Sequence, residues 1–170
     1  LKTADEIIDL LADIVSKNGA LMLNVSPMAS GTIPQNQQDI FLSIGKWLEV
    51  NGEAIYASRT WNVYGEGPAK LEKGGMFVDK VTYGAKDIRY TRKGDTVYAI
   101  VLGWPGESTE INLESFIGKT FNNVPKIQSV RVLGSTETIK YKLDEDGLHI
   151  TTPSKKTDDK AFVIKIETKG

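Results

Sequence analysis

The pattern of apolar and polar positions changes its period along the chain. Near the N-terminus, apolar residues recur at helical spacing in two segments, and an Asn-Gly dipeptide follows each of them at 18–19 and 51–52. Residues 20–25 between these predicted helices are apolar almost throughout, as expected for a strand that is covered on both faces. Later apolar residues form short runs, and Gly, Asp or Pro turns separate several of them. Strands are predicted at 87–91, 96–104, 109–113, 127–133, 139–143, 148–152 and 161–167.

The N-terminal part of the chain therefore has the order helix, buried strand, helix. Thr3 and Glu6 have the spacing of a capping box, which predicts the start of the first helix. A parallel strand needs neighbours for its backbone N–H and C=O groups, and this part offers no second strand of that kind. Two interpretations stay open at this point. Either the strand joins the later β region in a small α+β domain, or it is a slice of a larger α/β fold.

Composition and charge exclude several classes of partner. The 170 residues include 21 Lys and Arg against 22 Asp and Glu, so the net charge of -1 gives no reason to expect nucleic acid or an anionic membrane as a partner. No apolar run is long enough to span a bilayer. Cysteine is absent, which excludes disulfides and thiolate metal sites without fixing the compartment. Because the chain opens on Leu1 directly before a helix, we expect that its natural N-terminus is missing.

Few residues are candidates for catalysis. His149, the only histidine, alternates with apolar neighbours, so we predict that it lies on the solvent face of a strand. Glycosidases work with paired carboxylates, but the acids at 144–146 precede Gly147 in a predicted hairpin turn. Glu53 and Glu66 have no partner that the sequence identifies. We therefore interpret all of these acids as structural.

Six aromatic residues could build a platform on which a sugar ring stacks. Sandwich cores and domain interfaces need large aromatics too, and we favour that use. The residues are Trp61, Tyr64, Tyr83, Tyr90, Tyr98 and Trp104.

Three stretches together resemble one family. They are NGALMLNVSP at 18–27 with GTIP at 31–34, IGKWLEVNGEAIY at 44–56, and YAIVLGWP at 98–105. The sequence resembles the C-terminal part of an α-L-fucosidase of glycoside hydrolase family 29. Trp61 with GEGP at 65–68, and AFVIKI at 161–166, are similar to the same family. Departures from the family pattern are Ser26 in place of Gly, Ser30 in place of Asp and Thr60 in place of Pro.

The resemblance implies a (β/α)8-type barrel followed by a β-sandwich. The chain as supplied would then be α+β, with residues 1–58 as the terminal helix–strand–helix of the barrel. Residues 59–70 would connect it to an antiparallel β-sandwich at 71–170. Because active sites of such barrels form at the C-terminal ends of the strands, Asn24 and Ser26 would lie on the rim of the fucose pocket and contact the substrate. The alternative, which we favour from the sequence, is that Asn24 only hydrogen-bonds its own loop.

The resemblance also implies a retaining hydrolysis by an Asp nucleophile and a carboxylic acid–base. Both come from earlier barrel strands, and no position here matches either motif. We therefore expect no catalytic residue, no metal and no cofactor in this chain, which alone should be inactive. The implied partners are a fucosylated glycan and the missing N-terminal portion of the barrel, and a homo-oligomer stays open. For a bacterial source we expect a periplasmic or secreted location.

Two further expectations can be compared with a structure. In a different functional class, the chain is a non-catalytic carbohydrate-binding or structural β-sandwich module. If instead the barrel interpretation holds, the helix–strand–helix should carry apolar surface that needs the missing strands, a second copy of the chain or the sandwich to cover it. That surface is expected around Leu21, Leu23, Ile40 and Trp47.

Overall fold

The computed structural model describes residues 1–69, 81–117 and 126–169. Two α-helices come first, and antiparallel strands make up most of the remainder. The helices are α1 (Ala4–Ser16) and α2 (Gln35–Asn51), with short 3-10 helices at Gly52–Ala54 and Glu114–Phe116. The strands are β1 (Arg59–Glu66), β2 (Ile88–Lys93), β3 (Thr96–Val101), β4 (Glu110–Leu113), β5 (Lys126–Val132), β6 (Tyr141–Asp144), β7 (Gly147–Thr151) and β8 (Phe162–Lys169).

The strands form two sheets that pack face to face. One sheet has the order β1-β2-β3-β8-β5 and the other the order β4-β7-β6, and every described strand pair is antiparallel. A core cluster that includes Tyr90, Phe116, Leu148 and Phe162 fills the space between the sheets. A second cluster joins the outer face of the larger sheet to the helices. The molecule therefore has three layers, and this confirms the predicted antiparallel sandwich.

Strand β3 lies in the middle layer and is covered on both faces. Val97, Ala99 and Val101 pack between the sheets, whereas Tyr98 and Ile100 pack beneath the helices. An antiparallel strand with one wet face alternates, but one with two dry faces is apolar throughout. This explains why the stretch that begins at Tyr98 is continuously apolar.

The predicted start and end of α1 are both present. Thr3 Oγ1 accepts a hydrogen bond from the Glu6 N–H at 3.2 Å, and the Thr3 N–H donates to Glu6 Oε2 at 2.9 Å. At the other end, the Gly19 N–H donates to the Ile14 carbonyl at 2.9 Å. It is Asn18, with φ +65°, and not Gly19 that takes the left-handed conformation there. Asn tolerates that conformation better than most side chains do.

Helix α2 docks on the sandwich through Trp47, one of the residues for which the sequence predicts an apolar surface in need of a cover. The Trp47 side chain is fully buried, and its Nε1–H donates to the Ala161 carbonyl at 2.5 Å. Leu21 and Ile40 are half-buried against the same cluster, whereas Leu23 is 39% exposed. The outer face of the larger sheet therefore covers Trp47, so the sandwich is the cover at this position.

Most of the described residues of the predicted connection at 59–70 form a strand. Residues 59–66 form β1, an edge strand in which Arg59 pairs with Arg92 and Gly65 pairs with Arg89. The register shifts between Thr60 and Gly65. This irregularity breaks the alternation of side chains by which a strand is recognised in a sequence. Residues 70–80 lie outside the described ranges, and the domain boundaries themselves stay a prediction.

Residues 20–25, predicted as a buried strand, have no regular secondary structure in this chain. Met22 is 83% exposed, and Val25 is also exposed. A lone strand is unstable because its backbone groups lack partners, and no strand in the described ranges pairs with this segment.

No helix in the described ranges is long and apolar enough to cross a membrane.

Candidate functional site

The candidate site is built on the connecting loop, residues 19–34, between α1 and α2. Gln37, in the first turns of α2, holds this loop by two hydrogen bonds to one residue. The Ser26 N–H donates to Gln37 Oε1 at 3.0 Å, and Gln37 Nε2 donates to the Ser26 carbonyl at 3.2 Å. One amide side chain thus takes the place of a neighbouring strand for the backbone of Ser26. The loop is therefore anchored at its centre as well as at its ends.

The tip of the connecting loop is a compact turn. The Met28 N–H donates to the Thr32 carbonyl, and the Gly31 N–H donates to the Met28 carbonyl, both at 2.9 Å. Gly31 has φ +82°, a conformation that glycine adopts without steric cost. The hydroxyls of Ser30 and Thr32 are 2.8 Å apart and share a hydrogen bond. These contacts fix the tip, although most of its side chains are exposed to solvent.

Asn24, a predicted site residue, lines a cavity of about 180 Å³ between the loop and the two helices. Leu1, Lys2 and Ile7 from the start of the chain, and Gln37, Ile40 and Phe41 from α2, line the same cavity with Leu23. Within the described residues, the Asn24 amide makes no hydrogen bond to the loop. The alternative role expected for Asn24, that of tying its own loop, is thus not seen here. The amide is free to donate to and accept from a ligand.

Ser26, the second predicted site residue, lies two residues further along the same loop. Its backbone is bound to Gln37, and its hydroxyl makes no hydrogen bond within the described ranges. The residue is exposed. The structure therefore places Asn24 and Ser26 on one anchored loop.

Exposed apolar side chains surround the connecting loop. Met22 and Met28 of the loop are 83% and 51% exposed, and Leu42 of α2 is 63% exposed. Soluble proteins rarely leave a large contiguous apolar patch uncovered. This surface therefore has the character of an interface with further protein. Its remaining members are Leu1, Leu23, Val25, Ile33 and Phe41.

A buried ion pair joins α1 to the larger sheet. Asp13 Oδ1 lies 2.6 Å from Arg89 Nε, and Asp13 Oδ2 lies 2.7 Å from Lys17 Nζ. The side chains of Asp13 and Arg89 are only 7% and 6% exposed. The Arg89 guanidinium also lies over the rings of Tyr64 and Tyr83, at 5.7 and 5.2 Å from the ring centres. Both carboxylate oxygens of Asp13 thus have cationic partners, which suits a structural role better than catalysis.

Asp9 lies one turn before Asp13 on α1 and has a perturbed pKa. Burial and the nearby carboxylate of Asp5 raise the pKa of Asp9 from 3.8 to about 7. Arg89 opposes this rise, whereas Asp87 and Glu6 add to it. Sequence reasoning missed both Asp9 and Asp13. Their spacing of four residues, beside the apolar face of α1, is the signal that could have found them.

The raised pKa of Asp9 predicts that stability falls with pH. Between about pH 4 and pH 7 the folded state holds a proton on Asp9 that the unfolded state has lost, so the free energy of unfolding decreases as pH rises through that window. Above pH 7 this decrease should level off. Urea unfolding at pH 5 and pH 8 measures it. Asp9→Asn should remove this part of the pH dependence and be more stable than the wild type at pH 8.

Asp39→Asn is the matched control for Asp9, because Asp39 lies on α2 and is exposed. It should leave the difference between the two pH values unchanged. If the wild type became more stable between pH 5 and pH 8 and Asp9→Asn removed that gain, the raised pKa of Asp9 would be contradicted.

The carboxylates that the sequence offered as catalytic candidates have structural partners. Glu53 accepts from Tyr98 Oη at 2.9 Å and from Lys165 Nζ at 2.5 Å, and the Lys165 hydrogen bond lowers the pKa of Glu53. Glu66 accepts the N–H groups of Glu114 and Ser115 at 3.1 and 2.8 Å. These contacts agree with the structural interpretation.

The acidic turn at 144–146 and His149 also form a structural group. Lys142 and the Asp146 N–H hydrogen-bond Asp144 and lower its pKa to about 2. His149 lies between two carboxylates, with Nε2 at 3.1 Å from Asp144 Oδ1 and Nδ1 at 3.3 Å from Glu110 Oε1. The residue lies on the outer side of the smaller sheet, where strand register places it opposite Asn112 and Lys142. Across the described ranges, no group of three or more His, Cys, Asp or Glu residues could hold a metal ion.

Five of the six aromatic residues pack in or against the two core clusters, whereas Tyr64 is 52% exposed. Trp61 packs on Tyr90 and Phe116 at ring distances of 4.9 and 4.8 Å, and Trp104 packs on Phe162 at 5.0 Å. Tyr98 is buried beneath the helices, whereas Tyr64 and Tyr83 lie against Arg89. The favoured use of these aromatics in cores and interfaces therefore agrees with their positions.

Fold and loop together define the class of protein. The chain combines the terminal helix–loop–helix of a (β/α)8-type barrel with an antiparallel β-sandwich. Two family models match it in that order. The model "Alpha-L-fucosidase" matches residues 1–53, and the model "Alpha-L-fucosidase C-terminal domain" matches residues 80–167.

Individual relatives agree with the family models. The tissue α-L-fucosidases of Macaca fascicularis and Homo sapiens are 39% and 38% identical over 149 residues, which is 87% of this chain and 27% of each relative. A crystal structure of Thermotoga maritima α-fucosidase in complex with fucose is 32% identical, with a TM-score of 0.73. That comparison covers 98% of this chain and 35% of the Thermotoga chain. The chain belongs to the α-L-fucosidase family and spans about a quarter of the length of these curated relatives.

Proposed function

We propose that this chain is part of an exo-acting, retaining α-L-fucosidase, which removes terminal α-L-fucosyl residues from glycans. In this proposal the whole enzyme is the glycosidase. The chain contributes the end of the barrel and the sandwich, while the catalytic nucleophile and acid–base belong to other barrel strands. The observation that carries the proposal is that two fucosidase family models match consecutive parts of one chain, at 1–53 and 80–167.

The structure supports the chain's part in such an enzyme through its exposed apolar surface. Met22 and Met28 of the connecting loop and Leu42 of α2 are exposed and do not belong to the cluster between the helices and the larger sheet. Further barrel strands and helices would cover this surface and pair with residues 20–25. We therefore propose the preceding portion of the barrel as the chain's first partner, with residues 1–58 as its terminal part.

For the sugar site, we propose that Asn24 and Ser26 border the fucose pocket. Asn24 is well suited to this role because its amide lines a cavity and spends no hydrogen bond on its own loop. The two bonds from Gln37 to Ser26 hold the loop, so the amide would meet the sugar in a preformed position. A fucosylated glycan is the proposed substrate, and no metal or cofactor is proposed.

Assay of an aryl α-L-fucoside tests the proposal. The whole enzyme should release fucose with retention, which NMR detects as the α-anomer of the first-formed sugar, while residues 1–170 alone should show no turnover. In the whole enzyme, Asn24→Ala should lower kcat/KM by about threefold to tenfold, the effect of one neutral hydrogen bond. Full turnover by residues 1–170 alone would show that the catalytic carboxylates lie within this chain, which would contradict the proposal.

Asn36→Ala is the matched control for Asn24. Asn36 is exposed in the first turn of α2 and is not among the residues that line the cavity. This variant should keep the wild-type kcat/KM. Equal losses in both variants would mean that Asn24 acts through the fold of the loop rather than on the sugar.

The non-catalytic carbohydrate-binding module is the competing function. Titration of the chain with fucosylated glycans distinguishes the two, because a sugar-binding sandwich should shift backbone resonances of the β-strands at millimolar sugar. The position of Trp61, Tyr90, Tyr98 and Trp104 in the cores weighs against a stacking platform. A homo-oligomer and a periplasmic or secreted location stay predictions. A bacterial origin also stays a prediction, since the relatives include proteins from mammals and bacteria.

A further inference from the structure

Three cationic side chains meet where β1 begins and β2 ends. Arg59 and Arg92 are directly opposite each other in the antiparallel pair, and Lys93 follows Arg92. Opposite residues project to the same face, with Cβ atoms about 4.5–5.5 Å apart, and like charges in that arrangement destabilise a sheet. The two-residue turn that begins at Gly94 then leads into β3. The sheet thus carries a repulsive pair at this end.

These residues line a common cavity of about 480 Å³ that opens to solvent. Its lining consists of Ala57, Arg59, Arg92, Lys93 and Gly94, with no acidic residue among those described. Within the described ranges, none of the three cations has a carboxylate within ion-pair distance. Asp95, the next acidic residue in the turn, forms no ion pair with them. Glu53, which interacts with Lys93 by charge without forming an ion pair with it, is engaged by Lys165 and Tyr98.

Two other cations of the same sheet have acidic partners. Arg89 has Asp13 as its partner. Lys165, which lies opposite Arg131 in the pairing of β5 with β8, has Glu53 and Glu167. The pair of Arg59 and Arg92 lacks such a partner in the described structure. An external anion would supply it.

The guanidinium groups are positioned for such an anion. Arg59 Nη1 donates to the Ser58 carbonyl at 2.9 Å, and Arg92 Nε donates to the Thr60 carbonyl at 3.2 Å. Arg59 spends one donor on the residue before β1 and Arg92 spends one on β1, and each group keeps its other N–H donors. Ala57, which also lines the cavity, has φ +54° without being a glycine. Backbone strain of this kind is often found at ligand sites.

We propose that the start of β1 and the β2–β3 turn form a binding site for a tetrahedral oxyanion, a phosphate or sulfate that is either free or a monoester. Two guanidinium forks match the several oxygens of such a group, whereas a carboxylate offers only two. The charge of a dianion also balances Arg59 and Arg92. The site is separate from the connecting loop and does not depend on fucosidase activity.

Titration of the intact protein with inorganic phosphate and with inorganic sulfate at low ionic strength tests the proposal. Both ions should shift the amide resonances of Ala57 and Gly94 saturably, and acetate at the same concentration should shift them much less. Arg59→Gln and Arg92→Gln should each weaken binding by about tenfold, because each removes a charge-assisted donor fork. The double variant should not bind. Methyl phosphate and methyl sulfate then distinguish a monoester site from a free-ion site.

Lys126→Gln is the matched control. Lys126 lies opposite Lys169 in the pairing of β5 with β8, so this variant loses the same charge from a similar cationic pair outside the cavity. It should bind phosphate as the wild type does. Equal weakening by Lys126→Gln, saturation by acetate at equal affinity, or absence of phosphate binding would each overturn the proposal.

Thermal unfolding is a second measurement, made first without ligand and then with added phosphate. In the absence of phosphate and sulfate, the double variant should have a thermal midpoint at or above that of the wild type, because the repulsion between the two arginines is gone. Added phosphate should raise the midpoint of the wild type and leave that of the double variant unchanged. A midpoint that phosphate raises equally in both proteins would also overturn the site.

Discussion

Trp47→Ala is expected to lower the free energy of unfolding by about 3–5 kcal/mol, the usual cost of deleting a large buried aromatic side chain. The Trp47 ring is fully buried between α2 and the larger sheet. Its Nε1–H also donates to the Ala161 carbonyl, which precedes β8 and would lose its partner in the variant. Urea unfolding followed by circular dichroism measures the loss.

The same variant should loosen the helices more than the sandwich. Trp47 belongs to the cluster beneath the helices, whereas the cluster between the two sheets does not contain it. Hydrogen exchange should therefore accelerate in α1 and α2 before it does in β3 and β8. Trp47→Phe keeps most of the apolar surface and should lose only about 1–2 kcal/mol, including the hydrogen bond. Tyr141→Ala, at a residue that is 41% exposed, is the surface control. If Trp47→Ala lost less stability than Trp47→Phe, the role of Trp47 in docking α2 on the sandwich would be contradicted.

Local signals account for the parts of the fold that the sequence predicted well. The capping box of Thr3 and Glu6 acts within one turn, so no tertiary information is needed to recognise it. The later strands are short, and turn residues separate several of them, so their order follows from local turn chemistry. Strand β7, predicted at 148–152, is observed at Gly147–Thr151.

Tertiary partners decided the parts that the sequence did not predict. Strand β1 is an edge strand with a shift in register after Thr60, so its side chains do not alternate regularly. Residues 20–25 have the composition of a strand, but that composition cannot supply the neighbours a strand needs. The sequence left open whether the missing strands, a second copy of the chain or the sandwich would cover Trp47, because it does not show how α2 packs.

The candidate site was predictable only in part. Resemblance to the family pointed to Asn24 and Ser26, and the structure adds the anchoring by Gln37, which is 11 residues from Ser26 in the chain. Asp13 and Arg89 are 76 residues apart. Their contact depends on how a helix lies across a sheet, so no local pattern reveals the pair.

Asp13→Asn is expected to cost about 3–5 kcal/mol of unfolding free energy, because it leaves the Arg89 guanidinium buried without its carboxylate. Arg89→Met should cost a similar amount, since the buried Asp13 would then keep only Lys17. Lys17→Met is the surface control. Its Nζ is bonded to the same carboxylate at 2.7 Å, but its side chain is 36% exposed, so the loss should stay below about 1 kcal/mol.

The double variant Asp13→Leu with Arg89→Met tests whether the pair acts as a unit. Two apolar side chains of similar volume leave no buried charge, so the double variant should be more stable than either single variant. Strictly additive losses in urea unfolding would show instead that each residue acts through separate contacts, such as the stacking of Arg89 on Tyr83. If the pair acts as a unit, its role is to fix where α1 lies on the sheet. The double variant should then retain much of its stability but hold α1 less rigidly, with faster hydrogen exchange in α1 than the wild type shows.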